Sequence, residues 1–322
     1  MILASSKRIF AMALGIFMFT GCGITQQTTV PPPGRVGFNA DGDASWIRPG
    51  AANGPLLYVS SLLTRVVYIF SYPHLQLVGV LGQHGWDQPV GICSDSKGNV
   101  FLTLIYDSKI IEYAHGGTKP ITTLSDPDSY PSSCAIDPTT GNLAAAGAGY
   151  LNSALYEGVA IYAGAKGKPK TYQDSYFASG GFCGYDNKGN LFEDGSTRSY
   201  QSFLLVELAK GAKTFSQITV NQHIDASGGV QWDGKHITVF DFVAGAIYGL
   251  KITGSTAAVV SSTTLDNSEG GYGTWIEGHQ VVVPNEAEGR VDLYDYPAGG
   301  DAIKTTTLQA AFSATVSVAP NR

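Results

Sequence analysis

The chain is short of charge. Only 14% of its 322 residues are Asp, Glu, Lys or Arg, and the basic side is the smaller, 20 against 26, for a formal net charge of −6. A polyanion needs a basic footprint, so this balance excludes a nucleic-acid partner. Long hydrophobic runs are missing as well. The uncharged apolar stretch at residues 9–19 falls short of the ~20 residues that a membrane-spanning helix requires. No Gly-x-Ser-x-Gly elbow, phosphate-cradling glycine loop or His-Glu-x-x-His motif occurs, which removes serine hydrolases, nucleotide enzymes and zincins. After residue 22 no segment sustains a 3.6-residue apolar period, so helical and α/β folds are excluded. What is present is a 43% hydrophobic, 11% aromatic chain with 40 Gly and 15 Pro, able to bury a core and rich in turns.

The N-terminus carries an address. Lys7 and Arg8 precede the apolar run, which ends in Phe19-Thr20-Gly21-Cys22. This order resembles a bacterial lipoprotein signal. The resemblance implies cleavage before Cys22 and lipidation of Cys22, with Gly23 permitting an outer-membrane or cell-surface destination. Residues 22–50, rich in Thr, Gln, Pro and Gly, read as the lipidated Cys and a flexible tether, and 51–322 as one domain.

One pattern recurs through that domain: an apolar segment, a turn of the form Asp-x-x-Gly-Asn, and another apolar run. The turns begin at Asp95, Asp137, Asp186, Asp233 and Glu277, spaced by 42, 49, 47 and 44 residues. Each is followed by two β-rich stretches and a Thr-rich fourth one, as in Ile121–Leu124, Ser262–Leu265 and Thr305–Leu308. Four strands per ~45 residues make a propeller blade. Residues 56–81 match strands two to four, and the missing first strand reappears at 314–318. The expected fold is therefore all-β: a six-bladed β-propeller closed by its C-terminal strand.

Gly91 to Thr103, followed by Ile110-Ile111-Glu112-Tyr113-Ala114, resembles the blade pattern of NHL-type six-bladed propellers, a group that includes gluconolactonase-like and streptogramin-lyase-like proteins. The resemblance spans residues 55–318 and is specific for fold, because such propellers include enzymes, binding modules and scaffolds. It implies two chemistries: a divalent cation, calcium or magnesium, held by acidic side chains, and a His acting as general base beside a metal. Glu193, Asp194, Asp241 and Glu286 are the candidate ligands, and His84 and His223 the candidate bases.

In such a blade the loops before strand one and between strands two and three share an end of the ring. That end collects acidic and aromatic residues, with Trp86, Asp128, Tyr130, Tyr176 and Tyr272 as candidate ligand-binding positions. His74, His115, His236 and His279 fall in turns away from it and are expected at the surface. The Asp-x-x-Gly-Asn turns lack the further acidic ligands of calcium loops and read as hairpin turns. Cys93, Cys134 and Cys183 fall on consecutive first strands. They read as small buried apolar residues, with a Cys93–Cys134 disulfide as the alternative. The expected function is a lipid-anchored, monomeric module that binds a carbohydrate or cell-envelope protein. The alternatives are a metal-assisted lyase or lactonase and a structural scaffold.

Overall fold

The computed structural model describes residues 45–82, 86–125, 129–151, 154–197 and 202–319. Its strands form a β-propeller arrangement, small antiparallel sheets set side by side with their first strands inward. The second set comprises Pro89–Ser94, Val100–Leu104, Lys109–Tyr113 and Pro120–Ser125. The third comprises Ser129–Ile136, Leu143–Leu151, Ala154–Tyr162 and Lys170–Asp174. The fourth (Phe177–Tyr185, Leu191–Thr197, Phe203–Leu208, Ser216–Val220) and fifth (Ser227–Trp232, Ile237–Asp241, Ala246–Thr253, Thr256–Thr264) merge into one eight-stranded sheet. They do so where Thr219 and Val220 pair in parallel with Thr256 and Ala257. The last is Trp275–Glu277, Gln280–Asn285, Arg290–Asp295 and Lys304–Thr307.

The first set is completed from the far end of the chain. Leu56–Ser61 pairs on one side with Val66–Ser71 and on the other with Ala311–Ser317, in register Leu57 to Val316 and Val59 to Ala314. Beyond Gln76–Leu81, Trp46–Ile47 adds an outer strand against Val80 and Gly79. That short strand lies inside the span expected to be tether, because Ile47 has an apolar seam to pack against.

Apolar burial explains why the strands read as near-continuous hydrophobic runs. Both faces of each set are covered, so alternate residues enter opposite seams. Leu56 and Tyr58 pack with Ile92 and Leu102 of the second set, whereas Leu57 and Val59 pack with Val282, Val291 and Leu293 of the last. Inner strands approach closely through small residues: a Cβ added at Gly91 would stand 2.6 Å from Ser133 Cα, and one at Gly184 would stand 2.5 Å from Val230 O.

The turns behave as their sequence implies. Asp95 Oδ1 accepts from the Lys97 and Asn99 amides at 2.9 and 2.8 Å, and Asp186 Oδ1 accepts from Lys188 and Asn190 at the same distances. Gly98 and Gly189 adopt φ of +83° and +84°, the left-handed turn conformation that favours glycine. Two expectations change. Cys93 and Cys134 form a disulfide across the second and third inner strands, with Cα atoms 5.7 Å apart, and only Cys183 stays a buried thiol. The two facing inner strands run close enough for opposed side chains to bond. His115 is half-buried: its ring contacts Ser317 Oγ at 2.7 Å and the Gly54 carbonyl at 3.1 Å, and burial lowers its pKa.

Candidate functional site

Antiparallel pairing puts the start of each inner strand and the turn between second and third strands at one end of the ring. This upper end holds most of the candidate residues within the described chain, and their placements differ. Cys22, His84 and Asp128 lie outside the described residues.

Trp86 is not a binding platform. It is 7% exposed, wedged in the seam between first and second sets with its ring edge-on to Tyr113 at 6.5 Å. Tyr130 is half-buried on the third inner strand, and Tyr176 is exposed. His223 is exposed and contacts Asp225 Oδ1 at 3.0 Å, which turns it outward, away from the buried carboxylates.

The four candidate metal ligands do not form one site. Asp241 is a turn anchor. Its Oδ1 accepts from the amides of Val243 (3.1 Å) and Ala244 (3.2 Å), and its Oδ2 from Asp225 (2.8 Å). The same position in other sets does the same work: Ser61 Oγ accepts from Thr64 and Asn285 Oδ1 from Glu288. Glu193 is two residues out of step with it. Counted from the first hairpin turn, Glu193 is level with Leu102, Ala145 and Val239, all buried and apolar. Glu286 is half-buried beside Tyr272. Among the described residues, no three His, Cys, Asp or Glu side chains converge on a point that would hold a metal ion.

Glu193 and Asp194 point to opposite seams, as neighbours on a strand must. Toward the third set, Glu193 meets Glu157 and Asp174, which face each other across paired strands. A Cβ on Gly180 would touch Glu193 Oε1 at 2.5 Å and Glu157 Oε2 at 3.3 Å, so both oxygens flank that glycine. Neither Glu193 oxygen has a hydrogen-bond partner, and Asp174 Oδ2 lacks one as well. Burial and the neighbouring Asp174 and Glu157 raise the Glu193 carboxyl well above its ordinary value. Burial pushes Glu157 up to about 7. Toward the fifth set, Asp194 accepts from the Phe182 amide at 2.7 Å, and burial raises it to about 7. Cys183, beside Ser133, is pushed up to about 12 by burial and then by Glu193, so it is no nucleophile. Burial thus shifts all of these groups toward their neutral forms. Glu193 and Asp194 are fully buried, which keeps a substrate from reaching them directly.

The accessible feature of the upper end is aromatic. Tyr272 stacks on Phe312 (5.3 Å, 16°) and meets Phe242 at 4.6 Å, while Phe312 contacts Phe182 at 6.2 Å. These rings come from four different sets and line the mouth. Around them stand exposed apolar tips, Leu63 at 69%, Tyr106 at 57%, Val243 at 52% and Tyr176 at 39%. Of this group the sequence pointed only to Tyr176 and Tyr272. Phe182 and Phe312 lie within inner strands, where the pattern suggests core, and Phe242 opens a turn. A cleft of about 420 Å³ opens further out, lined among others by Asp266, Glu269, Glu288 and Asp301. Its single guanidinium, Arg290, is committed to Asp292 Oδ2 and the Asn267 carbonyl, each at 2.7 Å.

No family model matches the chain, and no curated protein matches it. Solved structures do. A chain from the crystal structure of a nidogen/laminin complex has a TM-score of 0.66 at 12% identity, over 83% of this chain and 100% of that one. A protein of unknown function from Bacteroides caccae has a TM-score of 0.57 at 12% identity, over 82% and 99%. At such identity these likenesses show the fold alone, a β-propeller.

Proposed function

We propose that the chain is a lipid-anchored, extracytoplasmic, six-bladed β-propeller that binds a protein partner through the upper end of the ring. The observation that carries this reading is the set of four exposed apolar tips around the aromatic mouth. Exposed apolar side chains around an aromatic mouth are what a partner covers. Six blades are supported by dividing the merged sheet at its parallel pairing and by the pairing of Ala311–Ser317 with Leu56–Ser61 in the first set. The Cys93–Cys134 bridge supports an oxidising compartment. Support also comes from the neighbour found in a nidogen/laminin complex. The metal-assisted lyase reading loses its ligand set, since Asp241 anchors a turn and Glu193 is sealed in a seam.

A photo-crosslinking amino acid at Val243 or Leu63, in the cells that make the protein, tests the reading. Capture of one discrete protein there, and none from Lys235 at the opposite end, is the expected result. Capture from Lys235 only, or from neither end, refutes it. Labelled fatty acid incorporated by the wild type but not by Cys22→Ser tests the anchor.

A further inference from the structure

The upper end is also distinct in charge. Its described residues include Asp87, Asp107, Asp225, Glu269, Glu286 and Glu288. Two of the cations near them are engaged, Arg65 facing Asp87 at 3.8 Å and Arg290 held by Asp292 and Asn267, while Lys109 stands exposed two residues from Asp107. Lysines gather instead in the turns of the opposite end, including Lys97, Lys119, Lys166, Lys188, Lys210 and Lys235. A partner that covers the apolar tips is met by an acidic surround.

At the mouth this charge sits beside the rings. The Tyr272 amide donates to the Pro284 carbonyl at 3.1 Å, and Gly271 bridges Asn285, which brings Tyr272 against the turn that carries Glu286. The Glu286 charge reaches the Tyr272 phenol and helps raise its pKa, after burial. Half-buried, the Glu286 carboxyl is itself raised by desolvation, a cost that a nearby cation offsets. A half-buried carboxylate beside aromatic rings suits a guanidinium group, whose N–H groups meet the oxygens while its stem packs on the apolar ring atoms.

We infer that the mouth receives an arginine side chain of the protein partner, its guanidinium held by Glu286 and its stem lying against the Tyr272–Phe312 ring pair. The inference rests on the protein-binding reading and adds to it the chemistry of the partner's anchor. Apolar residues flanking that anchor cover tips such as Val243.

The test uses the full chain in detergent and a fluorescein-labelled peptide of alternating arginine and leucine, with glutamine–leucine as its neutral analogue, read by anisotropy. The arginine peptide should bind about tenfold more tightly than the glutamine peptide and weaken as salt is raised. Glu286→Gln should remove most of that advantage, and Asp295→Asn at the opposite end should not. Tyr272→Leu should weaken binding with an unchanged melting temperature; if that variant fails to fold, Glu286→Gln alone decides. Equal binding of the two peptides, no arginine-peptide binding at ~1 mM, or an unaltered Glu286→Gln variant overturns the inference. Crosslinking at Val243 then reports separately: capture there leaves the protein-binding reading standing without a cationic anchor, and its absence removes both.

Discussion

Replacing Cys93 and Cys134 together by Ala tests the seam between the second and third sets. The bridge spans a sequence separation of 41 residues. A crosslink closing a loop of that length removes unfolded-state entropy worth about 4 kcal/mol at 25 °C in the chain-entropy treatment. Unfolding entropy runs near ~2.1 cal/mol/K per residue, so over the unit Asn39–Arg322 the loss corresponds to a fall in Tm of roughly 7 °C. The two sulfurs lie in a packed apolar cluster with Phe101, Leu143 and Tyr162, so truncation adds a smaller cavity cost. The assay is guanidinium unfolding without reductant, comparing the double variant with wild type and with Cys183→Ala, whose thiol crosslinks nothing. Peptide mass spectrometry of the wild type should recover the Cys93 and Cys134 peptides joined. A double variant within ~1 kcal/mol of wild type, or wild-type peptides recovered separately, would refute the reasoning.

Three further outcomes are expected. Glu193→Gln should stabilise the protein at pH 8 and flatten its pH dependence. Because Glu193, Glu157 and Asp194 have raised folded-state values, their contribution is full below about pH 4 and is lost as pH rises, through about 7 for Glu157 and Asp194. Melting temperatures from pH 4 to 8 check this, and a wild-type curve that rises over that range contradicts it. Asp241→Ala leaves several turn amides without their acceptor and should cost about 2–4 kcal/mol, measured by denaturant unfolding; wild-type stability would remove its role as a turn anchor. Gly91→Ala forces a methyl into the Ser132–Ser133 backbone and should cost about 1–3 kcal/mol in the same assay. An unchanged midpoint would mean that the inner strands part more easily than their spacing implies.

Much of the β-propeller was legible because its turns are chemically explicit. A carboxylate that holds two amides and a glycine at positive φ mark the same point in the second, fourth and fifth sets, and the strands follow from it. Ala314–Val318 was readable as the missing first strand for the same reason. The site was less legible because its signals are offsets rather than motifs. Glu193 lies on a strand that runs to Thr197, whereas the corresponding strand of the fifth set ends at Asp241, so the two carboxylates do not share a position. Counting from Asp186 would have set Glu193 level with Leu102 and Val239 and marked it as a carboxylate in a core position. Trp86 misled in the opposite sense, since an aromatic residue before an inner strand fits a rim or a wedge equally well. The disulfide turned on whether two inner strands stand close enough to bond, which sequence spacing alone does not encode.

The pairing of Leu56–Ser61 with Ala311–Ser317 also governs the order in which the molecule can be finished. During synthesis the inner edge of the first set waits, unpaired, for a strand made much later; Ser60 and the Ser313 carbonyl it contacts are 253 residues apart. Cys93 and Cys134 are both made much earlier, so the partners of the covalent tie exist before those of the non-covalent latch. Until the latch arrives, the exposed edge is a template for foreign strands, and chaperones or rapid chain completion must protect it. Loss of Ala311–Ser317 therefore acts as a lesion of the first set. It removes no complete set, yet it reopens the first one and leaves the ring with two free ends.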